Sequence, residues 1–204
     1  ILSGLVGSEM CIRDRYIREA QVEIETLHNS GLSLTGYHAH LDNRKKAAEK
    51  DWIKHYKSKI IHDTLAILQS ADYPALHGSA LSAFVNSKLS MMSDLCETEI
   101  SDKGIHSIRK LTKDILYCIE FARKQWAAGY TAAENISHDK LEELSDMAGG
   151  YNDMRVLTEH LANHLLVEEN RLEYREISAL ISVNKKKLNV QRKALVRKSV
   201  QIFR

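Results

Sequence analysis

The chain has 204 residues, with one proline, nine glycines and a formal net charge of +2. That length buries a real core in one domain or two small ones. So few chain-breaking residues exclude most sheet architectures, which need a turn every several residues. A charge so close to neutral does not mark an anion binder by itself. Its distribution is uneven, however: no acid occurs from Ile177 onward, whereas Lys185, Lys186, Lys187, Arg192, Lys193, Arg197, Lys198 and Arg204 do. Cys11, Cys96 and Cys118 are scattered, with no CxxC pair. They fit a reducing, cytoplasmic setting. No apolar run reaches the length of a membrane span.

Residues 1–15 read ILSGLVGSEMCIRDR, with no methionine at position 1. The string is too short and lacks the basic start of a signal peptide. It is similar to translated sequencing-adapter sequence found at the ends of reading frames from environmental assemblies. We expect a foreign or disordered segment here, joined to a chain that has lost its natural start.

Hydrophobic periodicity then predicts about six helices. The first covers residues 16–28 and stops at Asn29, Ser30 and Gly31. A long one covers 37–69 and breaks before Pro74, because the residue preceding proline leaves the helical region. A third covers 75–95. Ser101 and Asp102 offer N-caps for a fourth, which reaches Trp126. A fifth starts near His138 and meets Gly149 and Gly150, which leave one broken helix or two up to residue 167. The last runs from 170 to 203. Short loops favour antiparallel neighbours, so the expected fold is an all-α, antiparallel helical bundle.

The fourth helix carries the functional argument. At about 100° per residue, His106, Arg109, Lys110, Lys113, Tyr117 and Glu120 share one stripe. Ile108, Leu111, Ile115, Ile119, Ala122 and Trp126 fall opposite and form a core seam. From His106 to Lys113 the stripe is about 10 Å long, enough for several successive phosphates met by charge-assisted donors. A solvated helix face usually mixes signs at i, i+4. Here the first stripe acid, Glu120, comes after four basic residues. The last helix repeats the division, with Ile177, Ile181, Leu188, Leu195 and Ile202 as seam and Lys186, Lys193, Arg197 and Arg204 opposite.

The pattern H-x-x-R-K-x-x-K-x-x-x-Y-x-x-E from His106 to Glu120 resembles the second signature helix of the CHAD (conserved histidine α-helical) domain. The stretch LSDMAGGYNDMRVL, with Asn152 and Asp153, is similar to that family's glycine and Asn/His-Asp segment. YIREAQVEI, from Tyr16, resembles the corresponding helix of its first repeat. The resemblance implies two helical-hairpin repeats, an incomplete first over about 16–98 and a second over about 99–204, enclosing a basic channel. It also implies inorganic polyphosphate as partner. His106, Arg109, Lys110, Lys113 and Tyr117 would line the channel, and Asp153 and Asn152 would support it. The family's first signature helix would precede Tyr16 and is missing.

The expected function is therefore non-catalytic polyphosphate binding in the cytoplasm or at polyphosphate granules, with Lys186, Lys193 and Arg197 facing the α-helical column. No cofactor is expected. A nucleic-acid binder or a purely structural helical adaptor is the alternative. Aromatics make up 6% of the chain and do not interleave with the basic stripes, which disfavours stacked bases. His160 and His164 stand i, i+4 apart, but no HExxH pattern accompanies them; they and His38, His40, His55 and His62 read as surface histidines, so no metal site is expected. No Walker, GxGxxG or GxSxG motif occurs. Deleting residues 1–15 is expected to leave the melting temperature unchanged, as measured by circular dichroism.

Overall fold

A computed structural model describes residues 2–31, 34–56, 66, 78–97, 100–125, 137–167 and 170–203, and of these the side chains of 16–31, 34–54, 66, 78–97, 100–124, 137–167 and 170–203. Among them every regular element is α-helical: α1 (Leu2–Ser30), α2 (Thr35–Tyr56), α3 (Gly78–Glu97), α4 (Asp102–Gln125), α5 (His138–His164) and α6 (Arg171–Phe203). The expected break at Pro74, the second half of the long helix and Trp126 lie outside the described residues.

The helix ends follow local chemistry. α1 begins at Leu2, upstream of the expected start at Tyr16. It ends where Gly31 takes a φ of 71° and donates from its amide to the His28 carbonyl at 3.2 Å, a left-handed stop that glycine adopts without steric cost. Ser101 caps α4 as its position predicts, its hydroxyl accepting the Gly104 amide at 3.2 Å. Asn170 does the same for α6, accepting the Leu172 amide at 3.0 Å. α5 runs unbroken through Gly149 and Gly150. Two helical glycines cost about 1 kcal/mol each relative to alanine, so packing around them, not propensity, keeps this helix whole.

The residues form two compact units, 1–73 with 156–182 and 74–155 with 183–204. α5 and α6 each contribute one stretch to either unit. In the first unit α1 packs on α2. The pairing is antiparallel: Tyr37 meets Glu23, and the later Arg44 reaches back to Glu19. Leu27, Leu34, Tyr37, Leu41, Leu157, Leu161 and Ile177 form its apolar centre.

In the second unit α3 packs on α4. Met92, Ile105, Ile108, Leu111, Leu144, Ala148, Tyr151 and Leu195 make one buried cluster, and Val85, Ile115, Leu116, Ile119 and Leu141 another. The α4 seam predicted from periodicity is buried along its described length, with Ile108, Ile115 and Ala122 at 0% exposure. Of the α6 seam, Ile177, Ile181 and Leu195 are buried, and Leu188 and Ile202 pack against the first cluster of this unit. Lys88 ties α3 to α4 through Asp114 at 3.2 Å. Leu195→Ala is expected to destabilise the protein by about 2–5 kcal/mol in chemical denaturation, and Val190→Ala, at an exposed position of the same helix, by less than about 0.5 kcal/mol.

Candidate functional site

The basic column stands on α4 because burial of the opposite seam leaves it nowhere else to point. His106, Lys110 and Tyr117 are exposed, Tyr117 at 63%, while Arg109 and Lys113 are half-buried. Arg109 lies over α5: a Cβ built on Gly149 would come 3.9 Å from its Nε. That Nε is buried and has no hydrogen-bond partner among the described residues. A buried donor left unpaired forfeits its hydration and gets nothing back, which makes Arg109 the member of the column most in need of an acceptor.

α5 runs antiparallel to α4 beside this face. At one end Tyr151 donates from its hydroxyl to Asp102 at 2.7 Å. Burial and that carboxylate push the Tyr151 phenol up to about 12, so it stays a donor at physiological pH. At the other end Lys113, Tyr117 and Glu120 of α4 line a cleft of about 320 Å³ with Glu142, Ser145 and Asp146 of α5. Three carboxylates thus share this cleft with Lys113. The stripe on α4 alone shows only Glu120; Glu142 and Asp146 come from a different helix and are invisible to single-helix periodicity. The cationic stretch is strongest from His106 to Lys110 and fades toward Tyr117.

Asn152 accepts a hydrogen bond from Arg155 at 3.4 Å, and Asp153 forms no ion pair among the described residues, so neither is tied to the α4 column here. On α6, Lys186, Lys193 and Arg197 are exposed. Two of their basic neighbours serve the fold instead: Arg192 donates to the Ile100 carbonyl at 2.8 Å, and Lys198 pairs with Glu143. The α6 stripe does not line the cleft at Lys113. His138, Asp139 and Glu142 bring one donor atom each within 4.8 Å of the others. They occupy the first turn of α5, where the helix presents its positive end and a cation is disfavoured.

A second polar constellation, in the first unit, does not follow from spacing in the sequence. Glu23 is only 2% exposed. It accepts from the Tyr37 hydroxyl at 2.8 Å and from Arg44 at 3.4 Å, and meets His160 Nδ1 at 2.5 Å. Arg44 Nη1 also lies 3.2 Å from that imidazole nitrogen and Arg44 Nη2 lies 3.8 Å from Glu19. Beside them the His40 and His164 rings stand 5.3 Å apart between centroids, with Tyr37 edge-on to His164 at 4.9 Å. Burial first, then Glu23, push the Tyr37 phenol far above its ordinary range, so it is a donor throughout. Below it, Glu173 of α6 accepts the Gly36 and Tyr37 amides at 3.1 and 2.7 Å and caps α2 with a full negative charge. A Cβ on Gly36 would come within 2.9 Å of that carboxylate, so glycine is what lets it approach.

His40 with Arg44, and His160 with His164, are i, i+4 pairs that a sequence displays. What it does not display is that a carboxylate 137 residues from His160 closes the cluster. Comparison with protein-family models, with curated proteins and with solved structures returned no match. Tyr37→Phe is expected to cost about 1.5–3 kcal/mol of stability in urea titration, the range for a buried hydrogen bond to a charged acceptor, while Tyr16→Phe, half exposed, leaves the midpoint where it was.

Proposed function

We propose that the protein binds inorganic polyphosphate along the α4 column, His106, Arg109, Lys110, Lys113 and Tyr117, with Lys186, Lys193 and Arg197 of α6 adding cationic surface, and that it turns nothing over. The observation that carries this reading is the buried, unpartnered Nε of Arg109 in the middle of that column. A phosphate oxygen supplies the charged acceptor that this donor lacks. The neighbours at His106 and Lys110 are exposed and set at helical rise. Polyphosphate is a flexible chain with a negative charge on each unit and no bases, and it asks for cations at regular spacing and little else.

The acids at Glu120, Glu142 and Asp146 give the column a direction. They repel a polyanion beyond Lys113, so the bound phosphates centre on His106, Arg109 and Lys110. The resemblance of His106–Glu120 and of the Asn152–Asp153 segment to the CHAD domain supports the same ligand, and the two-repeat arrangement of that family belongs to this proposal with it. So do the cytoplasmic or granule location that such a ligand implies and the supporting roles of Asn152 and Asp153. No helix of the described residues is long and apolar enough to cross a membrane.

Binding by neutralisation of phosphates releases counterions and weakens steeply as salt rises. Replacing Arg109 and Lys113 together by alanine is expected to lower polyphosphate affinity at least about tenfold, the scale of one or two lost charge-assisted bonds, whereas Lys103→Ala with Lys140→Ala changes it less than about twofold. Fluorescence competition among long polyphosphate, heparin and single-stranded DNA measures both. Equal losses in the two double variants would mean diffuse charge attraction. Preference for DNA would point to a nucleic-acid partner, and release of orthophosphate would contradict binding without turnover.

A further inference from the structure

The cleft between α4 and α5 lies past the cationic end of the proposed binding column, and its chemistry is of the opposite sign. Glu120 of α4 and Glu142 and Asp146 of α5 line it, together with the ammonium of Lys113. Two other acids of these helices are spent within the fold, Asp114 on Lys88 and Glu143 on Lys198. Glu142 meets His138 Nδ1 at 3.5 Å, while Glu120 and Asp146 form no ion pair among the described residues. The cleft offers more than carboxylates. Ser145 is 8% exposed and lines it from the α5 face that carries Glu142. Thr112 and Ser199, also buried, turn their hydroxyls back onto carbonyls of their own helices. Ser145 makes no such bond among the described residues, so its hydroxyl is left to the cleft. Leu116 adds a buried apolar wall, and the exposed ring of Tyr117 adds a π face.

The acids stand at two stations, not at one point. α5 runs antiparallel to α4 with Gly149 beside Arg109, so Asp146 falls toward Lys113 and Glu142 toward Glu120. Glu142 and Asp146 are one turn apart, about 6 Å at helical rise. The donor atoms that do lie within 4.8 Å of one another belong to His138, Asp139 and Glu142, a group with neither Glu120 nor Asp146 in it. A compact metal ion is therefore a poor match for this lining. An elongated cation is a good one. An ammonium group has three donors and no acceptor, which suits carboxylates and a seryl oxygen, and its charge is drawn to a tyrosine face. Methylenes between two such groups would meet Leu116. Glu142 and Asp146 stand beyond the first turn of α5, where the positive end of the helix has little reach. We propose that the cleft binds a linear aliphatic diamine or longer polyamine, with one ammonium between Glu120 and Glu142 and the next at Asp146 and Ser145. Lys113 shares the second station, so the first holds its ammonium more tightly.

Isothermal titration of the whole chain at constant low ionic strength, combined with backbone amide NMR, tests the assignment. It uses no polyphosphate, so its outcome is separate from that of the binding column. Putrescine, a four-carbon diamine, is expected to bind with a dissociation constant on the order of 1 mM and at least about fivefold more tightly than the four-carbon monoamine butylamine. The amides it shifts most are expected at 113–120 and 142–146. Glu142→Gln with Asp146→Asn lowers putrescine affinity at least about fivefold, while Asp94→Asn with Glu97→Gln, at exposed acids of α3, changes it less than about twofold. Equal losses in the two double variants overturn the proposal, as do shifts centred elsewhere or butylamine binding as tightly as putrescine. Magnesium chloride shifting the same amides at lower concentration than putrescine overturns it too, and assigns the cleft to a metal ion. Should the α5 variant fail to fold, Glu120→Gln on α4 decides the matter: a loss of at least about threefold is expected, and an unchanged affinity overturns the site.

Discussion

Everything in the second unit follows from how α4 is divided. Ile108, Leu111, Ile115, Ile119 and Ala122 are all buried, and at helical spacing they claim one side of the cylinder along its length. A helix has no freedom to rotate once such a seam is committed, so the side carrying His106, Lys110 and Tyr117 is held outward. The neighbours then fit around that choice. α3 covers the seam from one direction with Val85 and Met92, α6 brings Leu195, and α5 lies antiparallel alongside, close enough for Tyr151 to reach Asp102 and for Arg109 to cross Gly149.

Electrostatics divides the molecule differently from hydrophobicity. The two polar constellations use the same residue types to opposite ends. Around Glu23 the charges are largely matched: one buried carboxylate is shared by a phenol, a guanidinium and an imidazole. Removing any partner leaves the others in a poorly solvated place, which is where electrostatic interactions are strongest and least forgiving. Along α4 the basic residues His106, Arg109 and Lys110 come first, and the acids Glu120, Glu142 and Asp146 line the cleft farther along with Lys113.

Much of this was legible in the amino-acid order, for identifiable reasons. Both seams, the Ser101 cap and the stop at Gly31 depend on residues within one or two turns of each other, and local spacing records them faithfully. The glycine pair at 149 and 150 was ambiguous because propensity argues for a break, whereas the packed faces of α5 on either side argue against it. The α4 column was legible as a stripe. Its acidic boundary was not, since Glu142 and Asp146 are contributed by α5. The Glu23 cluster was the least legible part. Each of its pairs looks like an ordinary solvated face on its own helix, and only the convergence of α1, α2 and α5 turns a mid-helix glutamate into a buried hub. The Glu173 cap on α2 was hidden for the same reason: capping signals are sought beside the helix they serve, and this one arrives from a separate helix.

The placement of Arg109 over Gly149 bears on when free energy is spent. A long cationic side chain on an open surface samples many rotamers, and a ligand that captures it must freeze them and strip its water at the moment of association. Here the guanidinium lies beside Gly149 of α5, and its Nε is buried with no hydrogen-bond partner among the described residues. The ordering and dehydration belong to folding and not to encounter. On the proposed reading, an anion bound here gains chiefly as slower departure, with the rate of arrival left to the long-range field of the surrounding lysines.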